Sequence, residues 1–412
     1  MAQGTLQGNQ VRAGLWVFAL VLGLCNVVVL GYMVRGTDLT LVDFSTFVAE
    51  GRLLNAGMGH RLYELAAQQE MQLNPRFQRV PLPFIHAPYE AVLFSPLALV
   101  PYPASYYAWN LANLALLALM AARLRPWLKS LDTVSVPLLF TLSLAYWPNA
   151  MVLFKGQDSI LLALVMTETY VQCKQGREGR AGVILALGLF KFHTVLPLVA
   201  CFALNRQWKL LKSFCVAGSG LAAVSVAMIG IGGVRQYFDL LRSLDRMPLA
   251  IYIKPEQMPN LRGFLSTMMS ATPQLIWMAI LVAYLAVILG IVLSLPGQGR
   301  GGRFDLFFAC ATAMGYALSY HSYEHDMAPL FPGLLLAANA AMKAESKGWR
   351  WVCIGLVTAL FFTPFYLYLF SRDMLCLMCV PLVALIFVIP MIARSVGAEA
   401  IGQGQGPLTH IC

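Results

Sequence analysis

Ala13-Gly-Leu-Trp-Val-Phe-Ala-Leu-Val-Leu-Gly-Leu-Cys-Asn-Val-Val-Val-Leu-Gly-Tyr-Met-Val34 carries no charge, and the polar run Arg35-Gly-Thr-Asp-Leu-Thr-Leu-Val-Asp43 follows it at once. A helix of about 20 apolar residues crosses a hydrocarbon core of roughly 30 Å. Working outward from this segment, further apolar runs lie at about 104–122, 133–153, 159–173, 181–191, 194–204, 214–232, 274–296, 304–319, 327–342, 351–370 and 375–393. The 412 residues are 59% hydrophobic and only 12% charged, so little polar surface is left for a soluble domain. The runs are continuously apolar and do not alternate, which argues for helices and against a barrel. The expected fold is an all-α polytopic bundle of about 10–12 transmembrane or half-membrane helices.

Charge sets the expected orientation. With residues before 13 in the cytoplasm and strict alternation, cytoplasmic segments hold Arg12, Arg123, Arg125, Lys129, Lys174, Arg177, Arg180, Arg206, Lys209, Lys212, Arg300, Arg303, Lys343, Lys347, Arg350 and Arg394. They hold only five acids, namely Asp132, Glu178, Asp305, Glu345 and Glu399, whereas the other side is balanced. This is the asymmetry of the positive-inside rule, and it accounts for the net charge of +10. No basic stretch is interleaved with aromatics, so nucleic acid is not an expected partner. The first span reads as a retained signal anchor in the cell inner (cytoplasmic) membrane. Residues 1–394 read as one membrane domain, and the Gly-rich 395–412 as a flexible cytoplasmic tail. The nine cysteines read as small buried hydrophobes. Cys376 and Cys379 have redox-motif spacing but sit in an apolar run with no second pair.

Residues 181–204 are flanked by basic clusters at both ends, 174–180 and 206–212. Two short helices meeting at Lys191-Phe-His-Thr194 keep both clusters on one side. One tilted helix with Lys191 snorkelling is the alternative. A lysine and a histidine at that depth need a wet cavity or an anion. Two long outer loops, 35–103 and 233–273, complete the expected layout. In the first, Phe44, Phe47, Val48, Leu53 and Leu54 form a helical apolar stripe, expected to lie on the membrane surface. The run 91–100, punctuated by Pro96 and Pro101, is too short to span.

The polar residues that invite a chemical role all fall on the non-cytoplasmic face. They are Asp38 and Asp43, Lys155-Gly-Gln157-Asp-Ser159, Lys191 and His193, Arg262, and His321-Ser-Tyr-Glu-His325-Asp326. Acids, amides, imidazoles and cations on one membrane face suit an anionic amphiphile. A carboxylate can take a proton from an attacking hydroxyl, and cations can stabilise a departing phosphate. Each residue has a plainer reading beside this one. Asp43 can cap the surface helix, and Asp38 can be a surface charge. Lys155 can anchor a helix end, and Gln157 and Asp158 can cap the helix from 159. A carbonyl can satisfy His193. His321 and His325, four apart, can face a metal, but no third ligand stands out. Glu168 lies inside a span and needs a partner near its cytoplasmic end. Tyr89 and Trp109 suit an interface belt as well as a sugar.

These stretches resemble, in order and spacing, the membrane mannosyltransferases of glycosyltransferase family 87, within the GT-C fold class. The resemblance rests on Asp43-Phe-Ser-Thr-Phe-Val-Ala-Glu50, Leu53-Leu-Asn-Ala-Gly57 and Leu62-Tyr63, and on Pro83-Phe84, Tyr89 and Ser95-Pro-Leu-Ala98. It continues through Trp109, Gly156-Gln157, Ala181-Gly182, Gly188-Leu-Phe-Lys191, Asn260 with Gly263, and His321 to His325 with Pro329. It implies inverting transfer of a hexose, with mannose expected, from a polyprenyl-phosphate donor to a hydroxyl of a lipid or glycan acceptor at the outer membrane face. By resemblance, Asp43 is the general base, and His325 or His321 orients the acceptor or shares the proton work. Lys191 and Arg262 would hold the phosphate, and Lys155, Gln157, Tyr89 and Asn260 would contact substrate. No separate cofactor or metal is expected, since the donor carries a monophosphate and no Gly-rich nucleotide loop is visible. The family often has tyrosine where Phe47 stands, which removes one hydroxyl. A transporter or flippase of lipid-linked sugars is the rival reading, and a non-catalytic scaffold the next. A transporter would have broken helices in corresponding halves of the chain, and only one break is suspected.

Overall fold

A computed structural model describes residues 2–73, 82–243, 254–270, 272–294 and 302–396. The expected tail lies almost wholly outside these residues, as do parts of both outer loops. The described chain is helical throughout, without strands. A long first helix, α1 (Ala2–Gly36), leads into a folded loop containing α2 (Phe44–Asn55), α3 (Leu65–Met71) and α4 (Pro88–Phe94). The chain continues through α5 (Tyr102–Leu124), α6 (Val136–Ala145), α7 (Trp147–Lys155) and α8 (Ser159–Lys174). Next come α9 (Glu178–Leu187), α10 (Phe192–Leu204) and the long α11 (Trp208–Ser243). Beyond the second loop are α12 (Leu261–Met268), α13 (Pro273–Ser294), α14 (Gly302–Ala317) and α15 (Leu330–Ala341). The bundle closes with α16 (Lys347–Phe361), α17 (Thr363–Ser371) and α18 (Cys379–Ser395). Among the described residues, six helical runs are long and apolar enough to cross a membrane, or eight if each bent pair counts as one crossing. The protein is a multi-pass membrane protein, as the apolar runs indicate.

Two expected spans are bent. The run 133–153 becomes α6 and α7, angled by 70° at Tyr146. The run 351–370 becomes α16 and α17, angled by 59°. Both second helices begin with Pro in the first turn, which lacks the N–H that a continuous helix would require. Asn26 of α1 pins both bends. Its amide donates to the Leu144 carbonyl at 2.9 Å, and its oxygen accepts from Thr363 at 2.6 Å. A buried polar side chain in the bundle is thus satisfied by groups that the bends expose.

The stretch 178–204 has the length and apolarity of one 27-residue crossing, yet it folds back on itself. A methyl group on Gly182 would come within 2.1 Å of the Leu210 carbonyl. A straight helix would place Leu204 roughly 33 Å beyond Gly182. The chain from 204 to 210 can return at most about 21 Å. The two facts are compatible only if α10 turns back toward the level at which α9 begins. Contacts to α14 agree: Gly315 lies against Thr194 and Pro197, while the Phe202 ring meets Phe307 at a tilt with centroids 5.6 Å apart. The hairpin expected from the flanking charges is therefore the observed arrangement, with a 3-10 turn, Gly188–Lys191, at its tip.

The first loop differs from expectation. Helix α2 does not lie on a surface. Phe44 through Gly51 and Leu53 are all buried, on every face of the helix. The short run after it folds as α4 and a 3-10 turn, Leu97–Leu99, packed onto α2. Gly51 allows this approach, since a methyl there would come within 2.7 Å of the Phe94 carbonyl. Phe47 stacks on Phe94 with centroids 4.4 Å apart, which places an apolar ring where the family's tyrosine hydroxyl would be expected. The far half of α11 covers the same loop. Its helix breaks at Gly230 (φ 68°, ψ 173°), a conformation confined to glycine. Beyond the break, Tyr237 packs on Tyr63 with centroids 4.6 Å apart. The loop is thus a folded cap on one end of the bundle.

Candidate active site

Under that cap is a cavity of about 300 Å³. One wall is the start of α2, with Asp43, Thr46 and Phe47. Lys155 and Gln157 approach from the α7–α8 turn, and Lys191 and His193 from the hairpin tip. The second loop supplies Lys254 and Gln257, and the segment before α15 supplies His321, Tyr323, His325 and Asp326. His86 completes the wall from the first loop.

Asp43 stands at the N-terminus of α2, but its side chain makes no capping bond. The carboxylate instead accepts from Gln157 Nε2 at 2.9 Å. Gly156 makes this possible. It ends α7 in the left-handed region (φ 65°), and a Cβ there would sit 2.5 Å from the Phe44 Cβ. The turn can therefore press against α2 and deliver Gln157 to the acid. The main-chain carbonyl of Gln157 is held in turn by Trp109 Nε1 at 3.2 Å and Asn113 Nδ2 at 3.4 Å. Trp109 is thus a buried support of this turn. Asp38 is not part of the site. It caps a 3-10 turn through Thr40, by the backbone N–H at 2.9 Å and the hydroxyl at 2.8 Å.

Lys155 lies 3.0 Å from Glu324 and donates to His325 Nδ1 at 3.2 Å, with its ammonium 5.5 Å from the centroid of the Tyr323 ring. Because Nδ1 accepts, the ring proton belongs on Nε2, which faces Asp326 at 3.6 Å. Burial lowers the His325 pKa, and neighbouring Lys155 and Lys191 add to this against the pull of Asp326 and Asp43. With its Nδ1 accepting from Lys155, His325 orients that ammonium. Among the described residues, no group of three metal-ligating side chains includes His321 or His325.

Lys191 reaches the cavity wall, but its three protons are all taken. Nζ lies 2.8 Å from Asp158, 2.5 Å from Asp326 and 2.7 Å from the Ser159 hydroxyl. The anion that a deep lysine needs is therefore supplied by the protein itself. Asp326 also accepts from the Tyr323 N–H at 2.9 Å. Lys191 thus ties together the hairpin tip, the start of α8 and the segment before α15. Asp158 extends the network to His86 Nδ1 at 3.2 Å, and His86 meets Glu90 at 2.7 Å. Burial opposes charge on His86, yet Glu90 and Asp158 outweigh it and lift its pKa to about 10.

Three expected substrate contacts fall away from the cavity wall. Arg262 lies over the Tyr320 ring, its guanidinium carbon 3.9 Å from the centroid, and donates to the Tyr320 carbonyl at 3.1 Å. Trp277 stacks on the same ring at 3.9 Å, so Arg262 of α12 and Trp277 of α13 both fasten onto the loop after α14. Asn260 caps α12 by accepting from the Gly263 N–H at 2.9 Å, and its amide donates to the Ser319 carbonyl at 3.0 Å. Tyr89 donates to the Leu187 carbonyl at 3.1 Å and braces the hairpin. Glu168 finds the partner it needs in Arg123, whose Nη2 lies 2.9 Å from one carboxylate oxygen.

Sequence reasoning missed His86, Glu90, Lys254, Gln257 and the pairing of Glu324 with Lys155. The signal for His86 and Glu90 was their spacing of four across the start of α4. Nothing local marked Lys254.

The model of glycosyltransferase family 87 matches residues 84–319. A polyprenol-phosphate-mannose-dependent alpha-(1-2)-phosphatidylinositol pentamannoside mannosyltransferase from Mycolicibacterium smegmatis is 25% identical over 290 residues, covering 67% of each chain. No solved structure matches significantly. The matched region spans more than half of the sequence and runs from the cavity's first-loop wall to the end of α14. A membrane-embedded helical bundle with this match has one assignment: the chain belongs to glycosyltransferase family 87.

Proposed function

We propose that this membrane glycosyltransferase moves a hexosyl group, mannosyl by analogy with its relative, from a polyprenyl-phosphate donor to a hydroxyl of a lipid or glycan acceptor. The observation that carries this reading is the carboxylate of Asp43, half-buried in the cavity wall, held by Gln157 and close to the charge of Lys155. In the proposed step the acceptor oxygen attacks the anomeric carbon from the face opposite the phosphate. The bond from that carbon to the phosphate oxygen breaks, and its electron pair leaves with the polyprenyl phosphate. The hydroxyl proton passes to Asp43, and the anomeric configuration inverts.

Lys155 is the fixed cation proposed to meet the departing phosphate. Glu324 and His325 hold its ammonium in place. Lys254, an exposed residue of the cavity wall, is proposed as a second phosphate contact. Lys191 is assigned to holding the cavity together. The site is proposed to open on the non-cytoplasmic face of the cell inner membrane, because the opposite end carries the excess of Lys and Arg.

Asp43→Asn tests the base. General-base catalysis contributes roughly 10²–10⁴-fold. In lipid nanodiscs with a radiolabelled polyprenyl-phosphate hexose, the variant should bind donor as the parent does and lose transfer by about that factor. Retained transfer would remove Asp43 from the mechanism. Donor binding without transfer in the parent protein, across a panel of hydroxyl acceptors, would favour a scaffold or flippase.

A further inference from the structure

We propose that His86, Glu90 and Asp158 form a binding site for one divalent metal ion at the wall of the cavity. The three donor atoms come from two distant segments and lie within 4.8 Å of one another. His86 and Glu90 stand four apart across the start of α4, and Asp158 follows the turn at Gly156. His86 Nδ1 is 2.7 Å from Glu90 and 3.2 Å from Asp158. Ligands held at roughly 2.1 Å from a small divalent ion lie about 3 Å apart, close to both distances from His86.

Charge and hydrogen-bond supply point the same way. Glu90, Asp158 and Asp326 are buried carboxylates, and the ammonium that joins two of them is Lys191. Without an ion, three carboxylates against Lys191 and a protonated His86 leave one negative charge; a divalent ion that displaces the imidazole proton leaves none. The second carboxylate oxygen of Glu90 is shut off from solvent and meets no donor among the described residues. Asp158 points one oxygen at Lys191 and the other at His86. It can therefore bridge an ion and the lysine, much as outer ligands of metal sites do. Glu90 and Asp158 are almost fully buried, while the His86 side chain is 16% exposed and lines the cavity. The open side of the ion would thus face the space assigned to substrate. One imidazole with two carboxylates suits Mn²⁺ or Zn²⁺ better than the all-oxygen sites of Ca²⁺.

The test uses full-length protein in nanodiscs, stripped with a chelator, desalted and titrated with Mn²⁺. Free Mn²⁺ is counted by electron paramagnetic resonance. The parent protein should bind one Mn²⁺ per chain. Glu90→Gln and His86→Asn should each weaken binding at least tenfold, whereas Asp43→Asn should bind as the parent does. Thermal melting checks that each variant is folded, and the parent alone decides the question if neither is. Binding of less than about a tenth of an ion per chain, or binding unaltered in folded Glu90→Gln and His86→Asn, overturns the proposal. In that outcome protons neutralise the cluster. Hexosyl transfer, assayed in parallel, reports on the proposed activity alone.

Discussion

Glu50 shows how much a single buried side chain can impose. It is fully buried in α2, two turns from Asp43, and neither carboxylate oxygen meets a hydrogen-bond donor among the described residues. Burial raises its pKa well above the ordinary carboxylate value of 4.5, so the folded protein keeps the proton that the unfolded chain gives up. Between those two values the folded state binds more protons, and stability falls as pH rises. Glu50→Gln removes that dependence. Melting temperatures from pH 5 to 9 should decline less steeply in Glu50→Gln than in the parent, and parallel curves would show that Glu50 is ionised in the fold. The same residue was quoted in the sequence only as part of a motif. Its burial depends on how the rest of the first loop packs around α2, which no local pattern announces.

At the scale of elements, the hairpin of α9 and α10 was legible and its chemistry was not. Basic clusters at both ends of 178–204 are local facts, and they lead to a fold-back that the contacts of Gly182 and Phe202 bear out. The role expected for Lys191 at the tip depended on what faces it. In the structure two carboxylates and a hydroxyl from other elements already face it. Removing one partner of a buried ion pair leaves an uncompensated charge and costs about 3–5 kcal/mol. Lys191→Met should therefore lower the melting temperature by several degrees and reduce transfer and donor binding together. A variant of parental stability with only a raised KM for donor would return Lys191 to the role of phosphate ligand. The bends at Tyr146 and Phe362 follow the same logic. Proline after each break is visible in the sequence, but Asn26, which satisfies both, lies more than a hundred residues from either partner.

For the whole molecule, the buried apolar residues form one continuous core from Ala19 to Ala393, and the polar cavity is confined to one end. The opposite end gathers Arg123 with Glu168 and Lys174 with Asp305, the latter 2.6 Å apart. This polarity is what an oriented membrane enzyme requires, and it can be checked directly. In a background with the nine native cysteines replaced, Asp38→Cys should react with a membrane-impermeant thiol reagent applied to intact cells. Lys347→Cys should react only after permeabilisation. The reverse pattern would invert the proposed topology.

Hydrophobicity and charge asymmetry are sums over neighbouring residues, so the sequence alone determined that this chain is a helical membrane protein, where its apolar segments lie and which end carries the basic clusters. It also marked Asp43, Lys155, Gln157, Lys191 and the 321–326 segment as polar exceptions in an apolar chain. Only the tertiary structure decided what each exception does. Asp43 meets Gln157 across 114 positions, Lys155 meets His325 across 170, and Lys191 meets Asp326 across 135. The physical reason is range. A helix satisfies its own backbone within four residues, but a buried charge must find its partner wherever packing brings one.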